Sequence, residues 1–232
     1  RRNTSYHEAG HAVLQVLMPD ADPLHKVTII PRGRALGSTM SLPEKDRYGY
    51  AVKWLRATMR VLCGGRIAAQ RFSGDVSSGA AMDIDHATKL ARAMVIEWGM
   101  SDKLGFVKYS PDDSRETLFS EKSYSEATAA IIDQEVRRLI DEAYHDAEKL
   151  VADNWEKVVT VAEGLMKHET LDADEVRRLC LGEKLDRPNL SDILAGEHAS
   201  HKPPAARPVV PQSDGQLPGG LAGGSLPQPG LG

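Results

Sequence analysis

The stretch Tyr6-His7-Glu8-Ala9-Gly10-His11 sets two histidines four residues apart, with a glutamate directly after the first. On a helix of 3.6 residues per turn such a pair shares one face, so both imidazoles can reach a single ion. Zinc suits them, because it accepts neutral imidazole nitrogen and imposes no geometry of its own. Glu8 falls beside that face, where its carboxylate can take a proton from water attacking at the metal. The pattern H-E-x-x-H reads as a zinc hydrolase, and most directly as a peptidase. A plainer reading competes. Ser5 and Glu8 stand in S-x-x-E register, so Glu8 could close a capping box over the first turn and leave the histidines on the surface.

The rest of the 232-residue chain favours helices, being rich in Ala, Leu, Glu, Lys and Arg with only 5% aromatic residues. A net charge of −4 with both signs mixed argues against a nucleic-acid surface. No apolar run approaches the roughly eighteen residues of a membrane span. The chain opens on Arg1-Arg2, which points to a piece of something longer, and no signal peptide precedes the motif. Cys63 and Cys180 are far apart and form no C-x-x-C, so they read as reduced, buried thiols of a cytosol-like compartment. From about residue 185 the apolar periodicity fades, and from Ala199 proline and glycine dominate. The expectation is one folded domain over residues 1–184 and a disordered tail over 185–232.

Outward from the motif, the first helix is expected over residues 4–17, ended by Met18-Pro19. The β-branched run Val27-Thr28-Ile29-Ile30 reads as a strand, Pro31 to Arg34 as a turn, and residues 36–42 as a second short strand. Such an edge beside a zinc site can hold an extended peptide as one more strand, which makes Leu36, Gly37, Ser38 and Thr39 the candidate substrate contacts; from pattern alone, a merely structural hairpin fits equally. A second helix is expected over residues 45–72. Gly64-Gly65 in its interior should cost about 1 kcal/mol each against alanine; a close backbone approach would explain them, and so would a break in the helix. A third helix carries Ile84, Ala87, Leu90, Ala91, Met94, Val95 and Trp98, with Gly99 placed to end it. Ser123 and Glu126 form a capping signature before a long helix, another follows through Trp155 to Leu165, and Asp172 with Glu175 caps a last short one. The fold class is therefore mainly α, with a small β-hairpin near the site.

Two histidines do not complete a catalytic zinc site, which takes three protein ligands and an open position. Leu14 and Leu17 occupy the places where a metzincin extension would put glycine and histidine. The best remaining cluster is Asp83-Ile84-Asp85-His86. His86 is chemically the more usual ligand, whereas Asp83 and Asp85 are ordinary first-turn acids that complement a helix dipole. The residues alone leave that choice open.

Further motifs bear on it. Arg34-Ala35-Leu36-Gly37-Ser38-Thr39, Leu42-Pro43-Glu44-Lys45-Asp46-Arg47-Tyr48, Gly64-Gly65-Arg66, Thr88-Lys89-Leu90-Ala91-Arg92 and Trp98-Gly99-Met100-Ser101 follow the opening motif in order. In this the chain resembles the peptidase domain of the FtsH-type membrane-anchored AAA metalloproteases, over about residues 4–182. The resemblance implies a helical zinc endopeptidase with His7, His11 and Asp83 as ligands and Glu8 as general base. It also implies a homo-hexameric ring at the cytoplasmic face of a bacterial inner membrane, fed with unfolded or misfolded polypeptides by an ATPase module. That module's phosphate loop, G-x-x-x-x-G-K-[ST], is absent from this chain, so ATP is expected to act only through segments upstream, as is the membrane. Two positions depart from the family pattern: Ala69 stands where it has glutamate, and Met82 where it has asparagine. The rival reading is a non-catalytic, hexamer-forming adaptor with a decayed metal site.

Overall fold

The computed structural model describes residues 1–31, 37–42, 49–109 and 124–187. By internal contacts Arg1–Ile193 forms one unit, to which all of these residues belong. Most of the expected tail, residues 188–232, lies outside the described residues.

Along the chain run α1 (Arg2–Leu17), β1 (Leu24–Thr28), β2 (Ser38–Ser41), α2 (Val52–Ser73), a 3-10 turn (Ser78–Ala80), α3 (Ala81–Ile96), α4 (Glu126–Asp153), α5 (Trp155–His168), β3 (Thr170–Asp172) and α6 (Ala173–Cys180). The fold is mainly helical with one small sheet, as the composition requires. Among the described residues no helix is long and apolar enough to cross a membrane.

α1 is the centre of the packing. Ala9, Ala12, Val13 and Leu14 are fully buried and share a core with Val158, Val161 and Leu165 of α5 and Val27 of β1. Each large aliphatic side chain buried in this way contributes roughly 1.5–3 kcal/mol. On the other side of α2, Leu55 and Met59 join Met94 and Val95 of α3 and Ile132 and Leu139 of α4 in a second cluster. α1 and α2 touch backbone to backbone. A Cβ on Gly10 would collide with the Gly64 carbonyl, and one on Gly64 would lie 2.7 Å from Leu14 Cδ1. The glycines in the middle of α2 thus mark a close helix crossing rather than a break.

The strands pair antiparallel in the order β2-β1-β3, with Val27 opposite both Thr39 and Leu171. The hairpin partner β2 is the expected one. β3 is not: only Asp172 and Glu175 are legible there as a cap, and their reciprocal bonds of 2.8 and 3.0 Å are indeed formed. Three further expectations need correction. α2 begins at Val52 after the non-helical Gly49-Tyr50-Ala51, while residues 45–48 lie outside the described set. α4 is capped by Ser125, which accepts from the Thr128 amide, while Ser123 is likewise outside. Cys63 and Cys180 are free but only half-buried.

Candidate metal centre

His7, Glu8 and His11 all sit in the body of α1, one residue and one turn apart as the motif demands. The capping reading of Glu8 fails here. Ser5 lies inside the helix, donating to the Arg2 carbonyl at 2.8 Å, and the Glu8 carboxylate turns away from the helix start toward β2. Opposite the histidines, the Ser78–Ala80 turn delivers the first turn of α3 and with it Asp83.

The three side chains converge on one point. His7 Nε2 and His11 Nε2 are 3.1 Å apart, and Asp83 Oδ2 lies 3.2 Å from the first and 3.4 Å from the second. An ion with bond lengths of about 2.0–2.1 Å in tetrahedral geometry has ligand–ligand edges of roughly 3.3–3.4 Å. The triangle is therefore close to one face of a zinc tetrahedron, and its two nitrogens and one carboxylate oxygen are a donor set that zinc takes. Among the described residues this is the group of His, Cys, Asp or Glu side chains so arranged. His86 is exposed on α3, and Asp85 is paired with Lys89 at 2.7 Å.

Neighbouring groups orient these atoms. His11 Nδ1 lies 2.7 Å from the Val61 carbonyl, which can only accept, so Nδ1 carries a proton and Nε2 is the nitrogen that faces the cluster. Gly65 leaves the space in which the His11 ring lies. Burial works against charge on His11, but the Asp83 carboxylate bonded to its ring, helped by Glu8 and the Val61 carbonyl, pushes its pKa up to about 9. Burial would raise Asp83, yet the hydrogen bonds from His11 and His7 hold its carboxyl well below the usual carboxylate range. Burial pushes the Cys63 thiol up to about 11.

Glu8 is buried at 6% exposure, and Thr39 Oγ1 donates to its Oε2 at 2.8 Å. Of the candidate substrate contacts, Gly37, Ser38 and Thr39 lie at the start of β2, whereas Leu36 is outside the described residues. Sequence reasoning did not single out Val61, which acts through its carbonyl and has no side-chain signature. Of the two departures, Met82 is 74% exposed and Ala69 is buried in α2.

The sequence model of peptidase family M41 matches residues 1–179. The chain is 47% identical over 227 residues to ATP-dependent zinc metalloprotease FtsH 2 of Methylacidiphilum infernorum, covering 94% of this chain and 35% of that protein. It is 45% identical over 193 residues to ATP-dependent zinc metalloprotease FtsH of Thermobaculum terrenum, covering 81% and 30%. A relative in Caenorhabditis elegans, ATP-dependent zinc metalloprotease YME1 homolog, is 41% identical over 206 residues, covering 88% and 28%. The chain thus spans about a third of the length of the curated relatives it matches.

Proposed function

The chain belongs to peptidase family M41, and from that premise we propose that it is a zinc endopeptidase domain acting on unfolded polypeptide. The observation that supports this most directly is the meeting of His7 Nε2, His11 Nε2 and Asp83 Oδ2 within 3.4 Å of one another, with a buried carboxylate beside them. In this reading those three residues hold the ion and Glu8 is the general base. Bound there, zinc supplies a Lewis acid that polarises a peptide carbonyl and makes water acidic enough to give up a proton near neutral pH. Glu8 receives that proton on its carboxylate and returns it to the departing amine. β2, at the edge of the described sheet, would take an extended substrate as one more strand along Gly37, Ser38 and Thr39, with Gly37 and Thr39 beside the base.

The relatives are named ATP-dependent. On that likeness, this domain works within a homo-hexamer whose ATPase module delivers misfolded chains, at the cytoplasmic face of a bacterial inner membrane, and it touches ATP and membrane only through segments other than those described here. Glu8→Gln tests the assignment, because it keeps size and removes the proton acceptor. Zinc content should stay near one ion per chain while hydrolysis of unfolded casein falls by about 10²- to 10⁴-fold. Full zinc with near-normal hydrolysis would refute the base.

A further inference from the structure

We infer that Thr39 is a positioning residue for the base: its hydroxyl fixes the Glu8 carboxylate and ties it to the strand that receives the substrate. The inference rests on the reading of Glu8 as base given above, and it assigns Thr39 a task other than touching substrate.

Side chains two apart on a strand share a face, so Thr39 and Ser41 of β2 point the same way, and Gly37 precedes the strand in the same alternation. On α1, Glu8 and Gln15 are two turns apart and likewise share a face. These two faces meet. Thr39 Oγ1 donates to Glu8 Oε2 at 2.8 Å, and Gln15 Nε2 donates to Ser41 Oγ at 2.6 Å. Gln15 is buried and also donates to the Asp22 carbonyl at 2.7 Å, which pins that end of the contact to the chain leading into β1. At the other end Gly37 makes room, since a Cβ there would lie 2.6 Å from Glu8 Oε1.

A glutamate side chain turns about three bonds, and nothing in its own chemistry holds it in one rotamer. Here Oε2 is engaged by Thr39, and Oε1, facing the Cβ-less Gly37, is the oxygen left to accept a proton. Thr39 sits opposite Val27 in the β1–β2 register, so the donor is placed by sheet pairing rather than by a loop. A peptide added to β2 would then be in register with the base by construction, because one strand sets both.

The test uses Thr39→Val, which keeps the β-branched shape and removes the donor, and Thr39→Ser, which restores it. Zinc per chain, thermal transition, kcat and KM on a quenched unfolded peptide are measured for both, with Glu8→Gln alongside. Thr39→Val should lower kcat by about 10- to 100-fold, the range for a hydrogen bond to a charged group. KM, zinc content and the thermal transition should stay as in the parent, and Thr39→Ser should recover most of the kcat. An unchanged kcat in Thr39→Val overturns the inference. So does a raised KM at constant kcat, which would make Thr39 a substrate contact, and so does loss of zinc or of the thermal transition, which would make it a structural prop. Full activity in Glu8→Gln would instead remove the base reading itself, and the two failures are told apart by that variant.

Discussion

Gly65 of α2 lies so close to the His11 imidazole that a Cβ at this position would overlap the ring at Nε2. The absent side chain is therefore part of the candidate metal centre. Gly65→Ala should behave opposite to helix propensity, by which alanine gains about 1 kcal/mol in an ordinary helix interior. The His11 ring must move out of the triangle, so zinc affinity should fall by at least about tenfold, since each 1.4 kcal/mol lost is a factor of ten. Competition with a chromogenic chelator measures it. Unchanged affinity would mean that α2 can yield without disturbing His11.

Asp83→Ala should abolish zinc binding, whereas His86→Ala should leave it intact. The basis is distance: Asp83 Oδ2 is within 3.4 Å of both imidazole nitrogens, and His86 is exposed. Elemental analysis of both variants after dialysis decides it. Zinc lost from His86→Ala and kept by Asp83→Ala would reverse the assignment.

Glu135 predicts a pH dependence that does not involve the metal. Its carboxylate is 1% exposed and accepts from Arg138 at 2.9 and 3.0 Å, from Ser101 at 2.8 Å, and pairs with Lys103 at 3.3 Å. The Arg138 guanidinium above all, and then Ser101 and Lys103, lower its pKa to about 2 against the opposing effect of burial. A depressed carboxylate stabilises the fold above its unfolded value near 4.5, and that stability is lost as pH falls toward 2. Because Arg138 and Lys103 are partly exposed, the contribution is on the order of 1–3 kcal/mol. Glu135→Gln should be less stable by that amount at pH 7, and the difference should shrink between pH 4.5 and 2 in urea titrations. A difference independent of pH would show that packing, not charge, is lost.

Much of this was legible in the residues. H-E-x-x-H on a helix, the apolar stripes of the long helices and the β1–β2 hairpin follow from periodicity, because each has enough residues for a period to show. β3 has three, Thr170 to Asp172, too few for alternation, and it forms only because β1 presents an edge to it. The choice between Asp83 and His86 was out of reach for a geometric reason. They are three apart on one helix and point to similar sides, so only the approach of α1 decides which meets the histidines. Gly64-Gly65 left a close contact and a helix break both open, since a missing side chain does not say what fills its place. Glu8 kept two readings until Thr39 was seen to bond its carboxylate.

The middle strand of the sheet has a consequence for the order in which the molecule can be made. β1 is held on one side by β2, and on the other by a strand whose Thr170 bonds Thr28 across 142 residues of sequence. In chain order H-E-x-x-H precedes this brace by about 160 residues. Contacts of such separation form late, because the intervening chain must be ordered before they repay its entropy. On the proposed reading, a chain that lacks the brace holds the candidate ligands before the sheet that orders β2 is complete. Chains ending at His168 should bind zinc weakly and leave casein intact, and extension through Cys180 should restore both; a truncated chain with full hydrolysis would break this link between completion and activity.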